Sequence, residues 1–215
     1  LLEEIVDLTA FDLPFASALS IAFFFGIRRN TLLSITRFGG RCDEESASSD
    51  DLSDEDDSDG AVCDPADPSS IFDDSVNQYI PFSGDFAYNA RSKVFLLDLN
   101  KYTLKSNFQK RIYVRCLCDA ECPALRNLCV HRTVPLLRDD RRWKREYIDN
   151  LQQHFNLRKT HMTRVGCLQH LMGCDISDAR VASHLRWQKE QVIVYYNRGN
   201  EYKECRYKGV SFVPI

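Results

Sequence analysis

The sequence predicts an α+β fold that is mainly α-helical, with one small antiparallel β-sheet or hairpin. Three observations predict it. Near the start, Phe15, Ala18, Leu19, Ala22 and Phe23 recur at helical spacing. Two runs rich in aliphatic and aromatic residues, 93–99 and 111–117, flank a polar turn and read as paired strands. From Pro123 onward the pattern is helical almost to the end.

In chain order, residues 1–38 read as two helices. Pro14 suits the first turn of one of them. Gly26 interrupts ahead of Arg28, and residues 31–35 resume the helical spacing. Residues 39–75 are rich in Gly, Ser and acids, and Pro65 and Pro68 break any period. Such a segment buries too little apolar surface to order itself, so a disordered acidic insertion is expected at about 43–75, within a single domain spanning 1–215. Ser49, Ser53 and Ser58 lie among those acids, and a solvated spacer is the plainer reading of the segment. The hairpin turn, 100–110, carries Lys101, Lys105 and Lys110, which gives it a basic tip. The expected helices that follow are 123–130, 142–155, 163–172, 177–185 and 188–196. Gly173 acts as a stop and Ser177 as an N-cap.

The formal charge of −3 conceals a strong asymmetry. Segment 43–74 holds 14 acids and no Lys or Arg, which leaves 17 acids against 28 bases elsewhere. A basic body on an acidic tether favours polyanionic partners, nucleic acid first. The apolar stretch 13–27 has 15 residues and includes Ser17 and Ser20, so it reads as a buried helix and not a membrane span. Glu3, Glu4 and Asp7 oppose a secretory leader, which requires a basic start. The nine cysteines are an odd number, and a reducing compartment is expected.

The chemistry-bearing pattern is His161-Met162-Thr163-Arg164, then Trp187, then Tyr196. An arginine fork can hold two phosphate oxygens, while His and Trp each add a donor. A tyrosine hydroxyl can form and release a phosphoester. Upstream, Gly26-Ile27-Arg28 closes an apolar helix, and Lys105-Ser106-Asn107 sits in the polar turn between the strands. Glu121-Cys122-Pro123-Ala124-Leu125 follows the hairpin, and Gly173, Asp175 and Ile176 follow the His-x-x-Arg helix.

Taken together, these motifs resemble the tyrosine recombinase/integrase family, in its Crypton- or DIRS-like eukaryotic mobile-element form. The resemblance covers nearly the whole chain outside the acidic segment. It implies the family's catalytic domain and a nuclear setting. It also implies a reaction: cutting and rejoining double-stranded DNA through a 3′-phosphotyrosine, with no metal, cofactor, small-molecule substrate or membrane. Arg28, Lys105, His161, Arg164, Trp187 and Tyr196 match the catalytic positions. Arg29, Lys101, Lys110 and Lys159 are expected against the DNA backbone. Active members assemble as tetramers on paired sites. Three departures stand out. Arg186-Trp187 replaces the usual Gly-His, Thr31 stands where an acid is common, and the family's separate N-terminal DNA-gripping domain lies outside this chain.

Plainer readings compete. Tyr195 adjoins Tyr196 but points about 100° away on a helix. Arg29 competes with Arg28, and His170 and His184 read as ordinary helix residues. Cys116, Cys118, Cys122, Cys129 and His131 lie within 16 residues, enough for a tetrahedral metal site. However, they lack paired C-x-x-C knuckles, and the spacing puts Cys116 and Cys118 on one face of a strand, so metal is not the favoured reading. At the level of function, the rivals are a catalytically inactive DNA-binding module of the same fold (a centromere-binding or domesticated transposon protein) and a type IB topoisomerase.

Overall fold

The structure is a computed structural model that describes residues 1–35, 79–100, 110–140, 142–155, 161–174, 176–187, 193, 206–207 and 209–214. The architecture is α+β. Helices α1 (Leu2–Leu8), α2 (Leu13–Phe24) and α3 (Arg29–Ser34) come first. Four strands follow: β1 (Ile80–Ser83), β2 (Phe86–Asn89), β3 (Val94–Asp98) and β4 (Arg111–Arg115). Helices α4 (Pro123–Asn127), α5 (Val130–Asp139), α6 (Trp143–Phe155), α7 (Met162–Met172) and α8 (Asp178–His184) complete the described elements.

Helix α2 is the axle of the molecule. A helix apolar on every side must be buried on every side, and residues 15–24 are all buried. Its start is fixed by Asp12, whose carboxylate accepts the Phe15 N–H at 3.0 Å and, through its other oxygen, the Asn150 side-chain amide of α6 at 3.0 Å. Pro14 falls in the first turn, where its missing N–H costs nothing. Helices α1, α5, α6 and α7 pack around it. No helix among the described residues is long and apolar enough to cross a membrane, in keeping with the buried-helix reading of 13–27.

The sheet is an antiparallel meander in the order β1-β2-β3-β4. The predicted pairing of β3 with β4 is present, with Phe95 opposite Val114 and Leu97 opposite Ile112. Central strand β3 is buried from Val94 to Leu97 and so reads as a continuous apolar run. Phe86 of β2 meets Phe25, just beyond α2, edge to face at 5.5 Å, joining sheet to helices.

The structure corrects several element boundaries. Described residues 1–35 hold three helices where two are expected over 1–38, because α1 buries Leu2, Ile5, Val6 and Leu8. Strands β1 and β2 precede the expected hairpin. Predicted helix 123–130 ends at Asn127, and α5 starts at Val130, with Pro135 accommodated inside it. Gly173 does end α7, but with ordinary right-handed geometry (φ −74°). Ser177 is at the N-cap of α8, although its side chain makes no capping bond. The acidic segment 43–75, the tip of the hairpin turn and nearly all of 188–196 lie outside the described residues.

Candidate functional site: a buried cluster of arginines

Three backbone ties bring distant segments together. Helix α2 ends in a turn at Gly26, whose φ is +53°, a conformation natural to glycine. A Cβ there would lie 2.4 Å from Leu185 Cδ2, so the chain passes closer to the end of α8 than any larger residue allows. Thr163, at the start of α7, donates its hydroxyl to the Ile27 carbonyl at 3.2 Å. His184, at the end of α8, donates from Nε2 to the Phe24 carbonyl at 2.8 Å. Residues 24–28, 161–164 and 184–187 are thus fastened to one another. These are the segments that carry Arg28, His161, Arg164, Arg186 and Trp187.

Arg164 is buried on α7. Its Nη2 donates to the Leu185 carbonyl, and its guanidinium lies over the Trp187 ring, 5.2 Å from the centroid. A cation over an indole face is attracted by the ring quadrupole. Trp187 therefore orients Arg164, a role beyond the single donor expected of it. His161 is the N-cap residue of the same helix and half-buried.

Arg186 is 9% exposed and adopts φ +58°. A non-glycine residue in this region is strained by about 1–2 kcal/mol. Its neighbour Trp187 donates its backbone N–H to the Ala182 carbonyl at 2.8 Å, which helps to hold the turn. Burial pushes the Arg186 guanidinium down to about 10, and the positive charge of Arg28 pushes the same way. Among the described residues, the buried Nε atoms of Arg28 and Arg186 have no hydrogen-bond partner.

The same positive field reaches His184. Burial is the main cause that drives it down to about 4, with Arg186 and Arg164 adding to the effect. The imidazole is therefore neutral at pH 7, with its proton on Nε2. His170 is likewise pushed down by burial, and its Nε2 lies 2.9 Å from the Val210 carbonyl. Both histidines serve as structural links, in line with their reading as helix residues.

Of the predicted catalytic residues, the structure gathers Arg28, Arg164 and Trp187 and places His161 at the head of the helix that bears Arg164. Lys105 and Tyr196 lie outside the described residues, as do Lys101 and Lys159. Arg29 opens α3 half-buried, with its Nε 3.3 Å from Asn30 Oδ1. Lys110 precedes β4, and its carbonyl accepts the Leu99 N–H. Thr31 is half-buried within α3. Sequence reasoning missed Arg186 as a site residue. The signal that could have found it was a bulky cation at the position where the resembled family carries glycine.

A correction concerns the cysteines. Strand β4 ends at Arg115, so Cys116 and Cys118 do not share one face of a strand. Instead they turn toward Cys129 and His131, while Cys122 stays outside that group. Comparisons with family models, curated proteins and solved structures return no match to this chain.

Proposed function

We propose that this chain is a DNA strand-exchange enzyme of the tyrosine recombinase class, and that the arginine cluster grips the phosphodiester to be cut. The observation that carries this reading is half-buried Arg28 set against buried Arg186, each with a shielded Nε lacking a protein partner among the described residues. Burying like charges together is unfavourable and persists where an anion is to be bound. A phosphodiester supplies that anion, and the basic character of the chain outside 43–74 suits a DNA duplex.

In this reading, Arg28, Arg164 and Arg186 receive the non-bridging oxygens and stabilise the extra charge that develops as a nucleophile adds. Tyr196 Oη attacks phosphorus and the bond to the 5′-oxygen breaks. A 3′-phosphotyrosine forms and a 5′-hydroxyl leaves. His161 accepts the phenolic proton, and Lys105 supplies a proton to the departing oxygen. The ester conserves the energy of the broken bond, and a second 5′-hydroxyl reverses the step on a new strand. Nuclear location and assembly on paired sites go with this reading.

Trapping on nicked suicide duplexes tests it. A covalent protein–DNA adduct is expected from the wild type and none from Tyr196→Phe. Gel shifts without any adduct would replace the enzyme with an inactive DNA-binding module of the same fold. The Thr31 substitution is the sequence feature that favours that rival.

A further inference from the structure

A second cluster lies apart from the arginines, where the sheet meets the helices. Cys116 and Cys118 follow β4, Cys129 is the N-cap of α5 and His131 lies in its first turn. One ligand atom from each lies within 4.8 Å of all the others. Cys116 Sγ is 3.6 Å from Cys129 Sγ and 3.4 Å from His131 Nδ1. Cys118 Sγ is 3.4 Å from Cys129 Sγ and 3.5 Å from His131 Nδ1. A tetrahedral zinc ion with bonds of about 2.3 Å to sulfur and about 2.0–2.1 Å to nitrogen requires edges of roughly 3.5–3.8 Å. The four separations, 3.4 to 3.6 Å, lie at or just below those edges, and the other two pairs lie within 4.8 Å, close enough for one ion to draw all four ligands in.

We propose that Cys116, Cys118, Cys129 and His131 form a structural zinc site. Thiolates with an imidazole in tetrahedral array select zinc over harder cations. The surroundings prepare the ligands for it. The Leu117 N–H donates to Cys129 Sγ at 3.3 Å, and the Cys118 N–H to Cys116 Sγ at 3.4 Å. Such bonds stabilise negative sulfur, as does the amino-terminal end of α5. The contact with the Cys129 sulfur is the main cause that pushes the Cys116 thiol down from its ordinary value. The Cys118 and Cys129 thiols are held above their ordinary value and would release their protons to solvent as zinc binds. The imidazole is fixed by three rings, Phe82, Tyr88 and Phe95, at 5.3, 4.5 and 4.6 Å. Locking the ring in this way is the work outer-shell neighbours do for a metal ligand.

A disulfide accounts for less. It would join two of the three sulfurs and leave the remaining thiol and the imidazole converging on nothing. Zinc uses all four, and exposed Cys118 gives the ion a route in. Bound there, zinc would staple the end of β4 to the start of α5, the helix packed on α2. Strand β4 follows segment 101–109, which holds Lys105, in the sequence, and α2 leads into Arg28. The zinc site stands whether or not the chain cuts DNA.

The test is metal analysis of the full chain, purified under reducing conditions, followed by replacement of the metal with cobalt(II). About one zinc per chain is expected, with cobalt giving intense tetrahedral d–d bands and a near-ultraviolet thiolate charge-transfer band. Cys118→Ser should lower that charge-transfer band by at least about a third, because one thiolate of three is lost. Cys122→Ser should leave it unchanged. The wild-type spectrum decides the matter even if Cys118→Ser folds poorly. Absence of a thiolate–cobalt band in the reduced wild type overturns the proposal, as does a band of unchanged intensity in Cys118→Ser.

Discussion

Gly26→Ala perturbs the turn on which the arginine cluster depends. Two costs follow from the structure. The residue sits at φ +53°, where a side chain is strained by about 1–2 kcal/mol. The new methyl would also stand 2.4 Å from Leu185 Cδ2, and Leu185 is fully buried, which adds about 1–3 kcal/mol of overpacking. Urea unfolding of the variant should therefore show a loss of about 2–5 kcal/mol. Truncating the neighbour separates the two parts. In Gly26→Ala/Leu185→Ala the steric part disappears, so the double variant should be more stable than the sum of the single losses predicts by about 1–3 kcal/mol. The backbone part should remain. DNA affinity should fall with Gly26→Ala as well, because the same turn sets Arg28 beside Arg186. A variant within about 0.5 kcal/mol of wild type, the ordinary range for a surface change, would refute the close approach of these segments.

Two further outcomes follow from buried charge. His184 has a folded value near 4, below its ordinary 6.5, so the unfolded chain binds more protons between those limits. Stability is therefore full above about pH 6.5 and falls on acidification toward pH 4, by about 3 kcal/mol from this residue. His170 acts in the same direction. Urea midpoints measured across that range should flatten in His184→Gln, and an unaltered pH profile would contradict the assignment. Arg186→Gly removes both a strained φ and a desolvated cation, so it should raise stability by about 1 kcal/mol while weakening DNA binding. Calorimetry and fluorescence anisotropy would read the two effects, and a destabilised variant with intact affinity would exclude Arg186 from the site.

The parts of the fold legible in the sequence were those whose pattern was long or chemically marked. Helix α2 announced itself by a mostly apolar run at helical spacing and a proline in its first turn. Strands β3 and β4 announced themselves by aliphatic runs around a polar turn. Strands β1 and β2, only four residues each, gave too little period to read, and Pro81 in β1 disguised it further. Helix α5 was hidden by Pro135, which ordinarily ends a helix. In the candidate site, Arg28, Arg164 and Trp187 were legible because their residue types and spacing carry phosphate chemistry. Arg186 was not, since its role depends on a left-handed backbone that spacing does not reveal. The sulfur cluster is visible in the sequence, but its convergence is not, for a related reason. Alternation carried past Arg115, the true end of β4, as far as Cys118 turns two converging cysteines into neighbours on a strand face.

The salt dependence of duplex binding tests the arginine cluster most directly. Wild type and Arg28→Gln/Arg186→Gln, both shown to be folded by circular dichroism, would be titrated with a labelled DNA duplex over a range of salt. Each phosphate-contacting cation contributes about one unit to the log–log slope, so the double variant should lose about two units of slope and bind far more weakly at low salt. Equal affinities and equal slopes would contradict the claim that these two neighbouring guanidinium groups exist to hold a nucleic-acid phosphate.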